Sequence, residues 1–268
     1  MPCEFIWGET LYHEADLGFE IHKLPGVFTH FRKLVEKKTA IRELLETPLH
    51  IKSPSDFGTA IPDMQSLGYD VPQPDERSVI HFKGGATAAH SRLHYYLWEK
   101  ELLSNYKNTR NQLVGGDYSS KFSPWLAIGA ISPRQIYWQV RKYEKYVKKN
   151  SSTYWLVFEL FWRDYFHFVA KKHGKQIFLR EGITGQEKVE WGPDRDFHLW
   201  TSGCTGEPFV DANMREMNTT GFMSNRGRQV VASYLMHHMK IDWRLGAAYF
   251  EKMLIDYDPC SNYGNWTY

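Results

Sequence analysis

The sequence has only three cysteines, Cys3, Cys204 and Cys260, and they lie far apart. They form no CxxC pair and no Cys/His spacing typical of zinc ligands, so we predict neither a disulfide framework nor a metal site. Reduced thiols are typical of intracellular proteins. No apolar run approaches the roughly 20 residues that span a bilayer, and the acidic side chains within residues 1–20 argue against a signal peptide. We therefore expect a soluble intracellular protein without a membrane partner.

The common catalytic signatures are also lacking. The sequence contains no HExxH motif, Walker loop, GxGxxG fingerprint or kinase motif set. His237 and His238 are adjacent, and we expect them at a helix end without a metal role. The net charge of +2 indicates no partner, but residues 101–150 hold a clear excess of Lys and Arg over Asp and Glu. That excess suits phosphate groups, with a solvated helical face as the simpler alternative.

A proline-rich stretch divides the chain. Residues 52–79 hold four of the twelve prolines and show little periodicity, which predicts a long surface connection. The residues before it allow one helix at most, whereas helical signals dominate after it. We predict an N-terminal part at 1–51, a connector at 52–80 and a helical domain at 81–268. Strand-like alternation is sparse, so the predicted fold class is all-α.

Capping signals mark the helices. Ser132 and Gln135 form a capping box with Pro133 at the first helical position. An apolar stripe follows at Ile136, Val140, Tyr143 and Val147.

A second helix is predicted from near Ser152 or Thr153 to Gly174. It is apolar almost all round, which is typical of a buried central helix. Other helices are predicted over about 88–105, 209–218, 225–239 and 242–255, the last with Asp242 as N-cap.

Asn225 and Arg228 are three residues apart and therefore share a helix face. A buried arginine needs a carboxylate partner. Asp256 and Asp258 follow the next predicted helix and are the candidate partners. On its spacing alone, this motif favours an ordinary structural ion pair over a functional site, because ion-pair networks of this kind are common.

The segment "GGDYSSKFSPWLAIG" combines Ser119, Ser120, Lys121 and Ser123 ahead of a predicted helix. Hydroxyl groups, a lysine and loop N–H groups near a helix start can bind phosphate oxygens. A plain serine-rich helix cap explains the same residues in isolation.

The buried helix carries Glu159 and Arg163, four residues apart, with Trp162 on a neighbouring part of the same face. A carboxylate beside a large ring fits a pocket for an aromatic ligand. A salt bridge between Glu159 and Arg163 is the structural alternative. The tryptophans Trp191, Trp243 and Trp266 are by default core residues.

Together these segments resemble the photolyase/cryptochrome superfamily, and specifically its DASH-type cryptochromes. The motifs that carry the resemblance are "YSSKFSPWLAIGAISPRQIYW", "YWLVFELFWRDYF", "TGEPFVDANMREM", "TGFMSNRGRQ", "IDWRLGAAYFE" and "DYDPCSNYGNWTY". The similarity begins at "WGETLYHEADLGF" and continues to the last residue. It implies an all-α catalytic domain that holds FAD noncovalently in a bent conformation.

The resemblance also implies roles for individual residues. Asn225 lies between flavin and substrate, Arg228 pairs with Asp256, and Asn262 lies near flavin N5. The implied cofactor contacts are Tyr106, Ser119, Ser120, Lys121, Phe122, Ser123, Leu156, Arg163, Asn225, Arg228, Asp256, Asp258 and Asn262.

The implied photochemistry involves Trp266, Trp243 and Trp191, which pass electrons from the surface to photoexcited FAD. The implied contacts to damaged bases are Glu159, Trp162, Gln229 and Tyr268, and Glu159 and Asn225 also count as catalytic. The implied substrate is DNA with cyclobutane pyrimidine dimers, bound by a monomer. The alternatives are a photoreceptor or nucleic-acid-binding flavoprotein without repair turnover, or an inactive fragment.

Three positions indicate which branch of the superfamily the chain resembles. Gln229 and Tyr268 replace the Met and Trp of classical dimer photolyases, which is the DASH pattern associated with repair in single-stranded DNA. Ser224 replaces the catalytic histidine of (6-4) photolyases, which excludes that chemistry. In the family an α/β antenna domain precedes "WGETLYH" and further helices follow "NWTY". We expect residues 1–51 to include the end of that domain, and the site for an antenna folate, methenyltetrahydrofolate, to be incomplete.

Overall fold

The fold is built from α-helices. The computed structural model describes residues 3–4, 6–52, 58, 60–71, 73–185 and 190–268. Over these ranges the chain contains no strand, which confirms the predicted all-α class. None of the helices found there is both long enough and apolar enough to cross a bilayer. The α-helices in these ranges are α1 Phe28–Lys38, α2 Ala86–His94, α3 Tyr106–Thr109, α4 Ser123–Ala127, α5 Pro133–Tyr146, α6 Ser151–His173, α7 Phe197–Ser202, α8 Pro208–Thr220, α9 Asn225–Ser233, α10 Trp243–Met253 and α11 Pro259–Thr267.

The predicted connector has no helix among its described residues. Leu45, Leu49 and Ile61, in and just before it, are almost fully exposed. Residues 53–57, 59 and 72 of the predicted connector lie outside the described residues. The division of the chain at 52–80 stays a prediction.

The capping box at α5 is confirmed. Ser132 Oγ accepts a hydrogen bond from the Gln135 N–H at 3.1 Å, and Gln135 Oε1 accepts one from the Ser132 N–H at 2.8 Å. The first three residues of the predicted apolar stripe, Ile136, Val140 and Tyr143, are fully buried. Its fourth member, Val147, is 42% exposed, so this part of the prediction was wrong. The helix ends at Tyr146, and the position after a helix end no longer follows the helical period.

Two predicted helices are interrupted. The helix expected over 88–105 ends at His94 and continues as a π-helical turn, Tyr95–Glu99. Glu101 then has φ +49°, and a non-glycine residue in this left-handed region cannot continue a right-handed helix. The helix expected over 225–239 similarly changes to a π-helical turn over Tyr234–His238, with Lys240 at φ +56°.

Helix α6 is the central element of the fold. It begins at Ser151, because the Asn150 side chain accepts hydrogen bonds from the N–H groups of Ser152 and Thr153. The predicted start at Ser152 or Thr153 was therefore one or two residues late. Helix α6 packs against α1, α3, α5 and α11. Its middle and C-terminal parts are largely buried, as predicted.

The buried side chains form two hydrophobic clusters. The first includes Phe31, Tyr143 and Phe168 and surrounds α6. The second includes Trp200, Met214, Leu235 and Trp266 and is built by α7 to α11. The cavity described below has residues of both clusters in its walls.

Asp164 of α6 ties the N-terminal segment to the core. It is fully buried, and its two oxygens accept hydrogen bonds from the N–H groups of Leu11 and Tyr12 at 2.9 and 2.8 Å. Burial raises the pKa of the Asp164 carboxyl to about 7, against the two backbone hydrogen bonds, which lower it. The side chain thus contributes its acceptor oxygens to two buried backbone donors that no apolar residue can serve.

Replacing Asp164 with alanine should destabilise the protein. The change leaves the Leu11 and Tyr12 N–H groups buried without acceptors, and we expect the free energy of unfolding to fall by about 2–5 kcal/mol. Denaturant unfolding measures this. As a control, Asp75→Ala removes a carboxylate whose partner Arg77 is exposed, and it should change stability by no more than about 0.5 kcal/mol. Equal stability of the two variants would contradict the assigned role of Asp164.

Candidate functional site

A cavity of about 700 Å³ lies between the two hydrophobic clusters. This volume is in the range of sites for organic ligands and cofactors. Every residue predicted to contact cofactor or damaged base lies on its wall, together with one of the three tryptophans. These residues are Tyr106, Ser119, Ser120, Lys121, Phe122, Ser123, Leu156, Glu159, Trp162, Arg163, Asn225, Arg228, Gln229, Asp256, Asp258, Asn262, Tyr268 and Trp266.

Helix α6 forms one long wall of the cavity. Leu156, Glu159, Leu160 and Arg163 all line it. Their spacing of three and four residues places them on one face of the helix. The start of α9, the start of α11 and the loop before α4 supply the facing residues. Segments more than 100 residues apart in the chain therefore contribute to one site.

The serine-rich loop before α4 is held by Arg92, a residue that the sequence did not indicate. Its guanidinium donates hydrogen bonds to the carbonyl oxygens of Gly116, Ser119 and Ser120 at 2.8, 3.2 and 3.1 Å. It also donates to Asp117 Oδ1 at 3.1 Å. Arg92 thus fixes the backbone of the loop that brings the serine hydroxyls to the cavity. No local motif connects it to a loop more than 20 residues away.

Lys121 is a buried cation at the end of this loop. Lys121 is only 4% exposed, and its φ is +55°, a backbone conformation that non-glycine residues rarely adopt. Its Nζ lies 3.9 Å from the ring centre of Tyr118 and 4.2 Å from that of Phe222. Burial lowers the pKa of the Lys121 amine to about 8; Glu216 opposes this shift, while Arg92 and Arg228 add to it. A buried cation in an unfavourable backbone conformation is typical of a ligand site for an anion.

Lys121→Met should stabilise the ligand-free protein at pH 7. The pKa of Lys121 is lower in the folded chain than in the unfolded one, so the unfolded chain binds more protons between about pH 8 and 10.5. Below pH 8 the charged lysine lowers the free energy of unfolding by its full amount, at most about 3 kcal/mol. This destabilisation disappears as the pH rises from about 8 to 10.5.

Unfolding by denaturant at several pH values measures this difference. Wild type should gain stability relative to Lys121→Met between pH 8 and 10.5. The exposed Lys148→Met is the matched control and should follow wild type. If Lys121→Met also follows wild type at every pH, the buried amine carries no such cost.

Arg228 and Asp256 form the ion pair that the sequence predicted. Arg228 Nη2 donates to both carboxylate oxygens of Asp256, at 3.0 and 2.9 Å, and Nε donates to the Met223 carbonyl oxygen at 3.0 Å. The Asp256 side chain is only 3% exposed. Ser224 caps α9 by accepting a hydrogen bond from the Gly227 N–H at 3.0 Å. Both residues of the pair lie on the cavity wall, so the pair shapes the site.

The start of α11 contributes a second polar group. Asp258 is the N-cap, and its Oδ1 accepts a hydrogen bond from the Ser261 N–H at 2.6 Å. Asn262 Nδ2 donates to the Ala247 carbonyl oxygen of α10 at 3.0 Å. These bonds fix the orientation of both side chains, which lie on the cavity wall.

The alternative salt bridge between Glu159 and Arg163 is not formed. Glu159 instead accepts a hydrogen bond from Arg110, and Arg163 donates to the carbonyl oxygen of Glu9. Burial raises the pKa of the Glu159 carboxyl, and Arg110 opposes this shift. Arg110 also lines the cavity. The basic excess in residues 101–150 was the only sequence signal for it.

Aromatic rings and polar side chains form the exposed part of the wall. Trp162 stacks on Phe28 with 3.6 Å between ring centres and meets Tyr268 edge-on at 5.4 Å. Tyr268 is 52% exposed, and Asn225 and Gln229 are exposed as well. A ligand can therefore reach the cavity from solvent past these residues.

The three tryptophans belong to the second hydrophobic cluster. Trp266 is buried, lines the cavity and meets Phe250 edge-on at 5.3 Å. Trp243 is buried, and its Nε1 donates to the Arg180 carbonyl oxygen at 3.1 Å. Trp191 is partly buried against the same cluster. The structure thus brings all three into one cluster, with Trp266 alone among them on the cavity wall.

The cavity can hold a flat ligand that carries an anionic group. Lys121 and Arg228 supply positive charge, Ser119 and Ser123 supply hydroxyl groups, and both hydrophobic clusters supply apolar wall. This combination matches a cofactor with aromatic rings joined by a diphosphate.

Comparison with known proteins agrees with this description. Residues 155–268 match the family model described as the FAD binding domain of DNA photolyase. The chain is 51% identical to a Cryptochrome DASH of Gloeobacter violaceus over 100% of its length, and 53% identical to one of Danio rerio over 98%. It covers 54% and 51% of those two proteins, so it spans about half the length of the curated relatives it matches.

Solved structures show the same fold. A cryptochrome from Synechocystis sp. PCC6803 superposes with a TM-score of 0.92 at 52% identity, over 97% of this chain and 54% of that one. A class III photolyase from Agrobacterium tumefaciens superposes with a TM-score of 0.81 at 27% identity, over 97% and 53%. The chain therefore belongs to the photolyase/cryptochrome superfamily, within its DASH-type cryptochromes, and its cofactor is FAD.

Proposed function

We propose that the chain is the catalytic part of a light-dependent flavoprotein that splits cyclobutane pyrimidine dimers, preferentially in single-stranded DNA, and that it acts as a monomer. The observation that carries this proposal is the shared cavity. Its wall contains the cations and hydroxyl groups suited to the cofactor's diphosphate. It also contains Glu159, Trp162, Gln229 and Tyr268, which are suited to the two linked bases of the dimer.

The protein's part is to bind and orient. Lys121, Arg228 and the serines of the loop are suited to hold the diphosphate. The two hydrophobic clusters exclude water from the rings. When bound, FAD supplies the absorption of blue or near-ultraviolet light and an electron that the dimer returns after its ring has opened.

The solvent-facing part of the cavity wall is suited to recognition of the damaged bases. The Trp162 ring offers a stacking surface, and Glu159 offers a carboxyl for hydrogen bonds to the base edges. Base–aromatic stacking contributes about 1–3 kcal/mol per base. Tyr268 has a smaller ring than the tryptophan of classical photolyases and contributes less of this energy. Extruding a paired dimer costs a few kcal/mol, and this cost is largely absent in a single strand.

Illumination of the FAD-loaded, reduced chain with a dimer-bearing oligonucleotide tests the proposal. We expect dimers in the single strand to be lost under light and not in the dark, and dimers in the matched duplex to persist longer. Trp162→Ala should weaken binding of the single strand by about 5- to 150-fold, the equivalent of 1–3 kcal/mol.

Trp138→Ala is the matched control, because Trp138 binds the Arg42 carbonyl oxygen and does not line the cavity. It should repair like wild type. Persistence of dimers in illuminated single strands with FAD-loaded wild type would overturn the proposal.

A photoreceptor without repair turnover is the second candidate. It is supported by the tryptophan cluster around Trp266, which suits light-driven reduction of the flavin whether or not DNA is bound. If the bound flavin is photoreduced normally but all dimers stay intact, that result would favour this candidate.

A further inference from the structure

Three potential metal ligands converge between α6 and the start of α11. One ring nitrogen of His167, a carboxylate oxygen of Asp258 and the Cys260 sulfur all lie within 4.8 Å of one another. His167 is more than 90 residues from the other two in the chain, so no ligand spacing in the sequence indicated this cluster. It lies beside the cavity, since Asp258 also belongs to the cavity wall.

His167 has an unsatisfied nitrogen in this cluster. Its side chain is 1% exposed, and its Nδ1 lies 2.9 Å from the Arg163 carbonyl oxygen. A carbonyl oxygen can only accept, so Nδ1 carries the proton and donates. Nε2 lies 3.4 Å from Asp258 Oδ2 and 3.7 Å from Glu9 Oε2, yet it has no hydrogen-bond partner in the described part of the chain.

Nε2 faces carboxylate oxygens of Asp258 and Glu9 without forming a hydrogen bond to either. A buried polar atom without a hydrogen-bond partner is unfavourable. A metal ion among them would serve Nε2 and both carboxylates together. A combination of nitrogen, oxygen and sulfur ligands is typical of zinc.

The distances agree with tetrahedral zinc. With Zn–N and Zn–O bonds of about 2.0–2.2 Å, neighbouring nitrogen and oxygen ligands are about 3.3–3.5 Å apart. The observed Nε2···Oδ2 distance of 3.4 Å lies in that range, and the Nε2···Oε2 distance of 3.7 Å is close to it. The Cys260 sulfur lies within 4.8 Å of the His167 nitrogen and the Asp258 oxygen, so zinc binding requires this side chain to move closer to them.

The surrounding contacts also suit a metal site. Metal-binding histidines usually donate their second ring N–H to a carbonyl or carboxylate, as Nδ1 does to Arg163. The Ser261 N–H binds Oδ1 of Asp258, which orients the carboxylate and leaves Oδ2 toward His167.

We propose that His167, Asp258 and Cys260, with Glu9 as the fourth ligand, bind one zinc ion beside the cavity. The ion joins α6, the start of α11 and the N-terminal segment. The site is independent of the proposed repair reaction, because zinc binding is measured without light or DNA.

Equilibrium dialysis of the FAD-loaded chain against zinc, followed by metal analysis, measures the stoichiometry. We expect one zinc per chain, with nitrogen and sulfur neighbours in its X-ray absorption spectrum. His167→Gln and Cys260→Ser should each weaken zinc binding by about 100-fold or more, beyond the loss typical of residues that only support a ligand. Cys204→Ser, at an exposed cysteine, is the matched control and should bind zinc like wild type.

Thermal unfolding keeps the test valid if a variant is less stable. Zinc should raise the melting temperature of wild type and Cys204→Ser, because a ligand that binds only the folded state stabilises it. It should not raise that of His167→Gln or Cys260→Ser, whatever their starting values. No bound zinc in wild type, a zinc shell without sulfur, or equal zinc affinity in wild type and both ligand variants would each overturn the proposal.

Discussion

Arg228→Met is expected to yield a chain without bound FAD and with a free energy of unfolding lower by about 3–5 kcal/mol. The substitution leaves the Asp256 carboxylate buried without its partner, since Arg228 donates to both of its oxygens. An uncompensated buried charge is far more costly than the loss of an exposed ion pair. It also removes positive charge from the cavity wall. Flavin absorbance per chain after purification and denaturant unfolding measure the two effects.

A second substitution separates these effects. Arg228→Met combined with Asp256→Leu removes both charges, and we expect it to recover most of the lost stability, because an apolar pair replaces a buried ion pair at little cost. It should still lack FAD. Arg77→Met is the control, since its pair with Asp75 is exposed. Normal FAD content in Arg228→Met would show that the ion pair has no part in the site.

Trp266→Phe is expected to slow light-driven reduction of the bound flavin by about tenfold or more, a barrier increase of at least about 1.4 kcal/mol. Trp266 lines the cavity, whereas Trp243 and Trp191 belong to the same cluster and do not line the cavity. A phenyl ring is much harder to oxidise than an indole, so the substitution interrupts the series where it meets the cofactor site. Bleaching of the oxidised flavin under blue light with an external reductant measures the rate.

Trp200→Phe is the matched control for this series. Trp200 is fully buried in the same cluster and does not line the cavity. It should lose stability, because its Nε1 donates to the Val231 carbonyl oxygen at 3.0 Å, but its flavin should bleach at the wild-type rate. Unchanged bleaching in Trp266→Phe would exclude the tryptophan series as the electron path.

Several features were predictable because their causes are local. The capping box at Ser132 depends on residues three positions apart, and the burial of α6 follows from its own apolar composition. The resemblance implied the pairing of Arg228 with Asp256, whereas the spacing of the residues alone left both Asp256 and Asp258 open as partners.

Other features depend on contacts between distant segments. The pairing of Glu159 is the clearest case, because this residue has Arg163 one helical turn away but binds Arg110 of another segment. No local sequence pattern indicates the hydrogen bonds from Arg92 to the serine-rich loop. The same is true of the two aromatic rings around Lys121. The π-helical turns after His94 and Ser233 and the positive φ of Glu101 were missed because helix propensity indicates neither feature.

The sequence by itself determined the helical class, the approximate positions of several helices and the chemical types of residue available for the site. Hydrophobic period and end-capping are short-range properties, and the chain contains them in full. The tertiary structure decided which of these residues meet. It joined the Ser119 loop, Arg228 and Asn262 in one cavity, and it brought His167 to Cys260. Such contacts arise from packing two hydrophobic clusters against each other, and the energy of that packing depends on all their residues at once rather than on any one segment.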